Sequence, residues 1–578
     1  MQTILTTKFK PVRLPASATR ALPRWALLAL GLLYILPGLI GRDPWKSDDA
    51  ISFGIMWTMA HGTLQDWLSP NIAGMQMAAE SPLTYWLGAL CIKLFGALLG
   101  DPLAARVSAG IAFLISALSI WYATYLLGRR SDAQPLKLAF GGQPEARDFG
   151  RTLADGAFLI YLGFLGLLLH SHETSPKSMQ LALLAFAMYT AVRFFDSGKA
   201  RNSIAIGLAL GLLVITYGWL LPAGILIGLL TLAVIRNRRA ILPLLLISLP
   251  LAVVPVAAWI FALKTFTPDS AGQIDIWMSW NLYQLNWPSF PALRYLLKYG
   301  IWFAWPAWPF AAWAIYAWRH QEKTLHISLT LCFLIPIAAL ILLNVHSEEE
   351  MLLPLLPPLA ILAAFGLPTM KRGAINAVDW FSVMIFTFSA TFIWIGWIAK
   401  ETGWPAQIAK NAHKLAPGYQ PDFNLISFVI AILGTLCWIV LVNWRISRQP
   451  SVLWRAVVLS SGGVILCWLL LTTLWMPWIN YGRSYAGVAE QIAQRLPSTV
   501  TCIDTNVGPA QRASFAYFGK MQFATDENSG CDVLLLQDAM RDQDDRLLQQ
   551  FSGKWKLLWE GRRPSDRDER FRLYRRAR

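Results

Sequence analysis

The sequence predicts a mostly α-helical, multi-pass membrane protein that ends in a small extracytoplasmic α/β domain. Three observations carry that expectation. Hydrophobic residues make up 55% of the 578 and charged residues only 15%, against about 25% charged in a soluble chain, and mean hydropathy is +0.44. Many apolar segments reach the roughly 20 residues a helix needs to cross a ~30 Å hydrocarbon core. After Trp478 the pattern changes to short strands alternating with polar helix. The net charge of +16 does not point to nucleic acid, because the basic residues lie mostly in short loops between spans and so report membrane orientation.

Residues 1–24 read as a basic cytoplasmic tail, with Lys8, Lys10, Arg13, Arg20 and Arg24 ahead of the first apolar run. No small-residue cleavage site follows, so no cleaved signal peptide is expected. Residues 25–476 read as the membrane domain. Thirteen spans are expected, at about 22–40, 103–127, 152–170, 177–195, 203–219, 220–235, 240–263, 298–318, 326–344, 352–369, 378–398, 425–443 and 454–475. The stretch 82–100 is apolar enough to cross, but it starts at a proline and carries Lys93. Parity resolves it. Without it, the linkers carrying Arg129-Arg130, Lys199/Arg201, Arg236/Arg238/Arg239, Arg319/Lys323, Lys371-Arg372 and Arg445/Arg448/Arg455 all join the basic N-terminus in the cytoplasm, as the positive-inside rule requires. Residues 82–100 are therefore expected to lie in the outer interface, within one long periplasmic loop, 41–102. The same arithmetic puts 171–176, 264–297, 345–351, 399–424 and the tail from 477 on the outer face. Tryptophans in these loops, such as Trp277, Trp280, Trp287 and Trp404, suit interfacial anchoring, with a lipid or sugar cover as the other reading.

In the tail, Tyr485–Leu496 has an amphipathic helical pattern, and Thr499–Val507, Cys531–Asp538, Lys554–Glu560 and Arg570–Tyr574 read as strands. Cys502 and Cys531 fall on two of these strands in an oxidising space. A disulfide and two buried free thiols are both open readings there. Cys91, Cys332, Cys437 and Cys467 sit in apolar runs as small hydrophobes.

Polar residues then collect on the outer face. The first span ends in Gly41-Arg42-Asp43-Pro44-Trp45-Lys46-Ser47-Asp48-Asp49, and charge delivered to the edge of hydrocarbon is costly enough to read as a functional site. Glu80 precedes the 82–100 helix; His170, His172, Glu173 and Lys177 join two spans; His346 and Glu348–Glu350 precede another. A transporter more typically keeps ionisable groups near the midplane, where this chain has few. No P-loop, dinucleotide fingerprint or H-E-x-x-H occurs, so His172-Glu173 does not make a zinc protease. His170-x-His172-Glu173 could bind a metal, although polar residues at a loop end are the commoner explanation of such a run.

At these residues the chain resembles a family. Trp45-x-x-Asp48-Asp49, Trp67-x-x-Pro70-Asn71-x-x-Gly74, Ser81-Pro82-Leu83-Thr84-Tyr85-Trp86-Leu87 and Leu352-Leu353-Pro354 are similar, in order and spacing, to motifs of the GT-C glycosyltransferases that use polyprenyl-phosphate sugars. The nearest branch holds the lipid A aminoarabinose transferases and the protein O-mannosyltransferases. The resemblance implies a periplasmic-face transferase in a bacterial inner membrane. It would move a sugar from an undecaprenyl-type phosphate to a lipid, glycan or protein acceptor, with membrane lipids around it and no nucleic-acid partner. It also implies that Asp48 is the base supported by Asp49. Lys177 would be the main contact of the donor phosphate, with Arg42, Lys46 and His172 behind it, while Glu80, Tyr85, Glu173 and His346 would contact substrate. No cofactor is implied with any force; some relatives in the wider superfamily use a divalent metal, and the acidic residues could supply ligands.

The chain departs from the family pattern in three places. Glu80 stands where the family has lysine, Lys177 where it has aspartate, and Met351 where it has tyrosine. If the first two alignments hold, an acid and a base have exchanged places and Glu80 and Lys177 are expected to pair across the site. Two other classes remain open on the sequence: a flippase or transporter of lipid-linked sugars, which should line a continuous polar path, and a non-catalytic scaffold, in which Asp48 would be dispensable.

Overall fold

The computed structural model describes residues 11–45, 48–138, 141–344, 348–447, 452–497, 500, 502–524, 531–539 and 554–577. Lys46 and His346, two of the expected site residues, lie outside them. The chain is mostly helical. Among the described residues nine helices are long and apolar enough to cross a membrane, and three shorter apolar helices, Arg24–Leu39, Leu83–Leu99 and Leu220–Arg236, accompany them.

Burial sorts these helices into centre and periphery. Within Glu349–Thr369 and Arg455–Leu474, 89% and 83% of the most apolar stretch is buried, against 11% in Leu425–Ile446. The inner helices are rich in alanine, and Ala360, Ala363 and Ala364 are fully buried, which lets backbones approach closely where lipid offers no hydrophobic drive to pack. The outer helices instead present Leu433, Ile439 and Val440 outward, as lipid-facing surface requires.

Two of the expected spans are broken. The 152–170 segment forms Ala146–Leu162 and a short turn of helix, Leu167–His170. The 298–318 segment forms Phe290–Phe303 and Ala307–Ala317. The breaks lie against each other: Leu165 N–H donates to the Trp305 carbonyl at 3.2 Å and Gly166 N–H to the Phe303 carbonyl at 3.0 Å. Each break thus satisfies backbone groups of the other, the condition for irregular backbone at membrane depth. Gly166 is required there, since a Cβ would lie 2.3 Å from the Phe303 ring. A third break separates Ala200–Tyr217 from Leu220–Arg236. Trp219 N–H donates there to Asn281 Oδ1 at 3.0 Å, and Gly218 adopts φ +102°.

The segment after the first apolar helix forms Asp48–His61, Leu64–Leu68, a small hairpin of β1 (Asn71–Ile72) and β2 (Met75–Gln76), and Leu83–Leu99. Leu83–Leu99 packs along both Asp48–His61 and Asp101–Gly128. It leaves Leu90, Leu94 and Leu98 exposed at four-residue spacing, one apolar stripe on its far side.

The tail folds as a helix, Ala486–Arg495, a second helix, Pro509–Phe518, and a four-stranded sheet. Its strands are β3 (Ile503–Thr505), β4 (Val533–Ala539), β5 (Trp555–Gly561) and β6 (Glu569–Arg576). The order is β3-β4-β6-β5, with β3 parallel to β4 and the other pairs antiparallel. The tail docks on the first loop: Ala513 packs where a Cβ on Gly54 would lie 2.4 Å away. Arg512 donates to the carbonyls of Ile72 at 3.1 Å and Ala73 at 2.8 Å.

Cys502 and Cys531 are joined in a disulfide, with Cα atoms 5.6 Å apart and a sequence separation of 29. Closing a loop of that length destabilises the unfolded chain by about 3.6 kcal/mol through lost chain entropy. Cys502→Ser should therefore bring unfolding of the tail to lower urea, read by limited proteolysis. Non-reducing peptide mapping of the wild type should recover the two cysteine peptides linked.

Candidate active site

The first apolar helix ends at Leu39, and Gly41, at φ +69°, turns the chain across the end of the bundle. What holds the turn is Arg106, a fully buried guanidinium on Asp101–Gly128. It donates to the carbonyls of Arg42 and Asp43 and, at 3.2 Å, to Asp49 Oδ2. The same oxygen accepts from Arg42 Nη2 at 3.1 Å, while Asp49 Oδ1 accepts from the Thr174 N–H and hydroxyl, each at 3.0 Å. Burial alone would raise the Asp49 carboxyl. The Arg42 and Arg106 guanidiniums and the Thr174 hydrogen bonds outweigh it and hold the group at about 2. Asp49 is thus a permanent anion that ties the first loop to two other segments.

Asp48 is the preceding residue on the same helix, so it points about 100° away. It is half-buried and lines a cavity of about 250 Å³. Glu80, Lys177, Tyr217, Trp280 and Glu348 line the same cavity. Glu80 Oε2 accepts from the Tyr85 hydroxyl at 2.7 Å. Burial pushes the Glu80 carboxyl above its ordinary value and the nearby Asp48 charge adds to that, with Tyr85 and Lys177 opposing. Lys177 sits in the first turn of Pro176–Ser197, where Ser175 caps the helix. Its ammonium lies 3.8 Å from the Tyr217 ring centroid and 3.8 Å from Met351 Sδ. Cation–π contact of this kind favours an aromatic lining around a desolvated ammonium.

The expected site residues therefore divide. Asp48, Glu80, Tyr85 and Lys177 share the cavity. Glu80 and Lys177 both face it, but no ion pair joins them, because each has another partner: the Tyr85 hydroxyl and the Tyr217 ring. Asp49 and Arg42 lie behind the cavity in the ion cluster, with Arg42 also 3.5 Å from Glu173 and stacked 4.0 Å over Trp45. His172 does not line the cavity. It is fully buried, with Nε2 3.0 Å from the Tyr34 carbonyl and 3.2 Å from Trp468 Nε1, and Nδ1 2.6 Å from the Leu168 carbonyl. Burial outweighs these contacts and pushes the ring down to about 4, so it packs helices as a neutral imidazole. Glu173 lies beside His170 and Glu350, at 3.2 Å from the former.

Sequence reasoning passed over Arg106, Thr174, Tyr217 and Gln284. Tyr217 carried a signal, since Tyr217-Gly218-Trp219 interrupts an apolar run at an expected boundary. Arg106 carried only its position, one turn into a span. Next to the polar cavity, and sharing Tyr217, Gln284 and Met351 with it, is an apolar slot walled by Leu220, Leu221, Ile337 and Leu340. The arrangement places a carboxylate and an ammonium on one cavity of about 250 Å³, next to a mostly apolar slot.

No family model matches the chain, and no curated protein matches it by sequence. Solved structures do match it. The crystal structure of ArnT from Cupriavidus metallidurans bound to undecaprenyl phosphate superposes with a TM-score of 0.65 at 14% identity, over 95% of this chain and 97% of that one. The apo state of the same protein gives 0.64 at 15% identity over the same shares. The match spans membrane helices and tail together, and the fold is the one implied by the resemblance to the GT-C aminoarabinose-transferase branch.

Removing one member of a buried ion cluster leaves its partners uncompensated, at a cost of about 3–5 kcal/mol. Asp49→Asn should therefore melt well below wild type in detergent, read by thermal unfolding. The Asp49 carboxyl is held below its ordinary value, so its contribution is complete above about pH 4 and is lost as pH falls through about 2. Wild type should lose stability across that window, and Asp49→Asn should lose less.

Proposed function

We propose that the protein is a membrane glycosyltransferase that moves a sugar from a polyprenyl phosphate to a lipid, glycan or protein acceptor. The reaction would take place on the periplasmic face of a bacterial inner membrane, with the N-terminus cytoplasmic and the tail domain periplasmic. The observation that carries this is the polar cavity holding Asp48 and Lys177, which shares Tyr217, Gln284 and Met351 with a mostly apolar slot. It is joined by a fold shared end to end with a protein crystallised with undecaprenyl phosphate.

Asp48 accepts the proton of the acceptor hydroxyl. The freed oxygen attacks the anomeric carbon from the side opposite the phosphate, the bond from that carbon to the phosphate oxygen breaks, and the configuration inverts. The electron pair leaves on the phosphate, where the Lys177 ammonium offsets the added charge. A phosphate is already a good leaving group, so a positioned base and one cation supply most of what the step needs. Glu80, kept toward its protonated form by burial, donates to or accepts from a sugar hydroxyl together with Tyr85. Asp49 and Arg42 position Asp48 without touching substrate. The apolar slot takes the first isoprene units of the donor.

The test uses purified chain in detergent with undecaprenyl-phosphate sugars and a total envelope lipid and glycan extract as acceptor, following release of free undecaprenyl phosphate. Loss of a general base lowers turnover by about 10²–10⁴-fold. Asp48→Asn should fall in that range while melting like wild type, since Asp48 stands outside the ion cluster. Turnover equal to wild type in Asp48→Asn would remove Asp48 from the reaction. No release by wild type from any such donor would overturn the transferase reading.

A further inference from the structure

Beside the cavity but separate from the Asp48–Lys177 pair, the fold assembles a second cluster. His170 Nδ1 lies 3.2 Å from Glu173 Oε2 and 3.9 Å from Glu350 Oε1, and all three ligand atoms fall within 4.8 Å of one another. They come from two distant segments, the turn 170–175 and the start of Glu349–Leu355. We propose that His170, Glu173 and Glu350 bind one divalent cation of the zinc or manganese class.

Three physical points carry the proposal. The donor set is one imidazole and two carboxylates, the mixture that suits such ions. Ligand atoms bound at about 2.0–2.2 Å from a shared ion stand roughly 3–4 Å apart, so only a small closure of Glu350 completes the set. The cluster also has an unmet need. Glu350 Oε2 is buried and accepts no hydrogen bond from any described residue, although two largely buried carboxylates here face one imidazole. The His170–Glu173 hydrogen bond alone leaves that oxygen without a donor, whereas a cation neutralises both acids.

The site is also held in advance. The Ser178 hydroxyl donates to the His170 carbonyl at 2.6 Å, and Thr174 is bonded to Asp49. Arg42 takes the other Glu173 oxygen at 3.5 Å, which turns Oε2 toward His170. Such outer contacts orient metal ligands. The cation would add positive charge beside a cavity in which, among the described lining residues, Asp48 and Glu348 stand with Lys177. Glu350 interacts electrostatically with both Asp48 and Lys177, so an ion bound to it acts on the cavity. This last role, unlike the ion site itself, rests on the transferase reading.

The test is made on full-length protein purified without a histidine tag, stripped with chelator and re-equilibrated with Zn²⁺ or Mn²⁺. One ion per chain is expected by elemental analysis. Glu350→Gln and His170→Ala should weaken it by about 10–100-fold or more, with melting checked in parallel. On wild type alone, bound Mn²⁺ should show nitrogen coupling from the imidazole in pulsed EPR, a readout that needs no variant. Asp48→Asn should keep the ion while losing turnover, which separates this proposal from the assignment of the base. Absence of a stoichiometric ion, absence of nitrogen coupling, or equal affinity in a well-folded Glu350→Gln would each overturn it.

Discussion

The structure depends on one buried ion cluster. Asp49 receives Arg42, Arg106 and Thr174, and these four residues come from the first loop, the Asp101–Gly128 helix and the turn before Pro176. Burying charge this deeply is unfavourable unless the charges are paired. Here two guanidiniums face Asp49 and Glu173, and Arg106 Nη1 and Nη2 also donate to backbone carbonyls, while Arg106 Nε and Arg42 Nε and Nη1 are buried with no hydrogen-bond partner among the described residues. Because the contacts to Asp49 form only when all three segments are in place, the cluster fixes their relative positions. Asp48, Lys177 and the His170–Glu173 turn are each within a few residues of a member, so their geometry follows from the cluster rather than from local loop preference.

The same logic of mutual satisfaction recurs where helices break. The interruptions at 163–166 and 304–306 exchange backbone hydrogen bonds, and the one at Gly218–Trp219 is met by Asn281. The break at Gly218–Trp219 directly follows Tyr217, whose side chain lines the cavity. The tail domain adds a third restraint through Arg512 and the Ala513–Gly54 contact, which hold Asp48–His61 from the other side.

Much of this was legible in the sequence. Apolar run lengths marked where most of the long helices lie but not the count of thirteen spans, since among the described residues nine helices are long and apolar enough to cross, and the change of period after Trp478 marked the strands of the tail within a few residues. The charged junction at 41–49 drew attention because carboxylates at the end of an apolar run need a reason. What the sequence could not separate was Asp48 from Asp49: adjacent residues on a helix face different surroundings, and only tertiary packing says which one is saturated. His172 misled for a related reason. A histidine between two spans looks available, yet its ring is enclosed by the Leu168 and Tyr34 carbonyls and the Trp468 indole N–H, contacts that depend on how distant helices cross. The exchange of acid and base at Glu80 and Lys177 was visible as a departure from a family pattern. Their separate partners, the Tyr85 hydroxyl and the Tyr217 ring, were not. Breaks inside the 152–170 and 298–318 runs escaped because hydropathy averages over a Gly or Pro that a neighbouring segment can satisfy.

The most direct test of the central assignment is a cryo-EM structure of the protein with undecaprenyl phosphate bound. Density for the phosphate within hydrogen-bond reach of Lys177, across the cavity from Asp48 and with the first isoprene units along Leu220 and Ile337, is the expected result. A phosphate seated elsewhere would contradict it, for example in the separate cavity of about 480 Å³ between Trp45, Trp468 and Arg483.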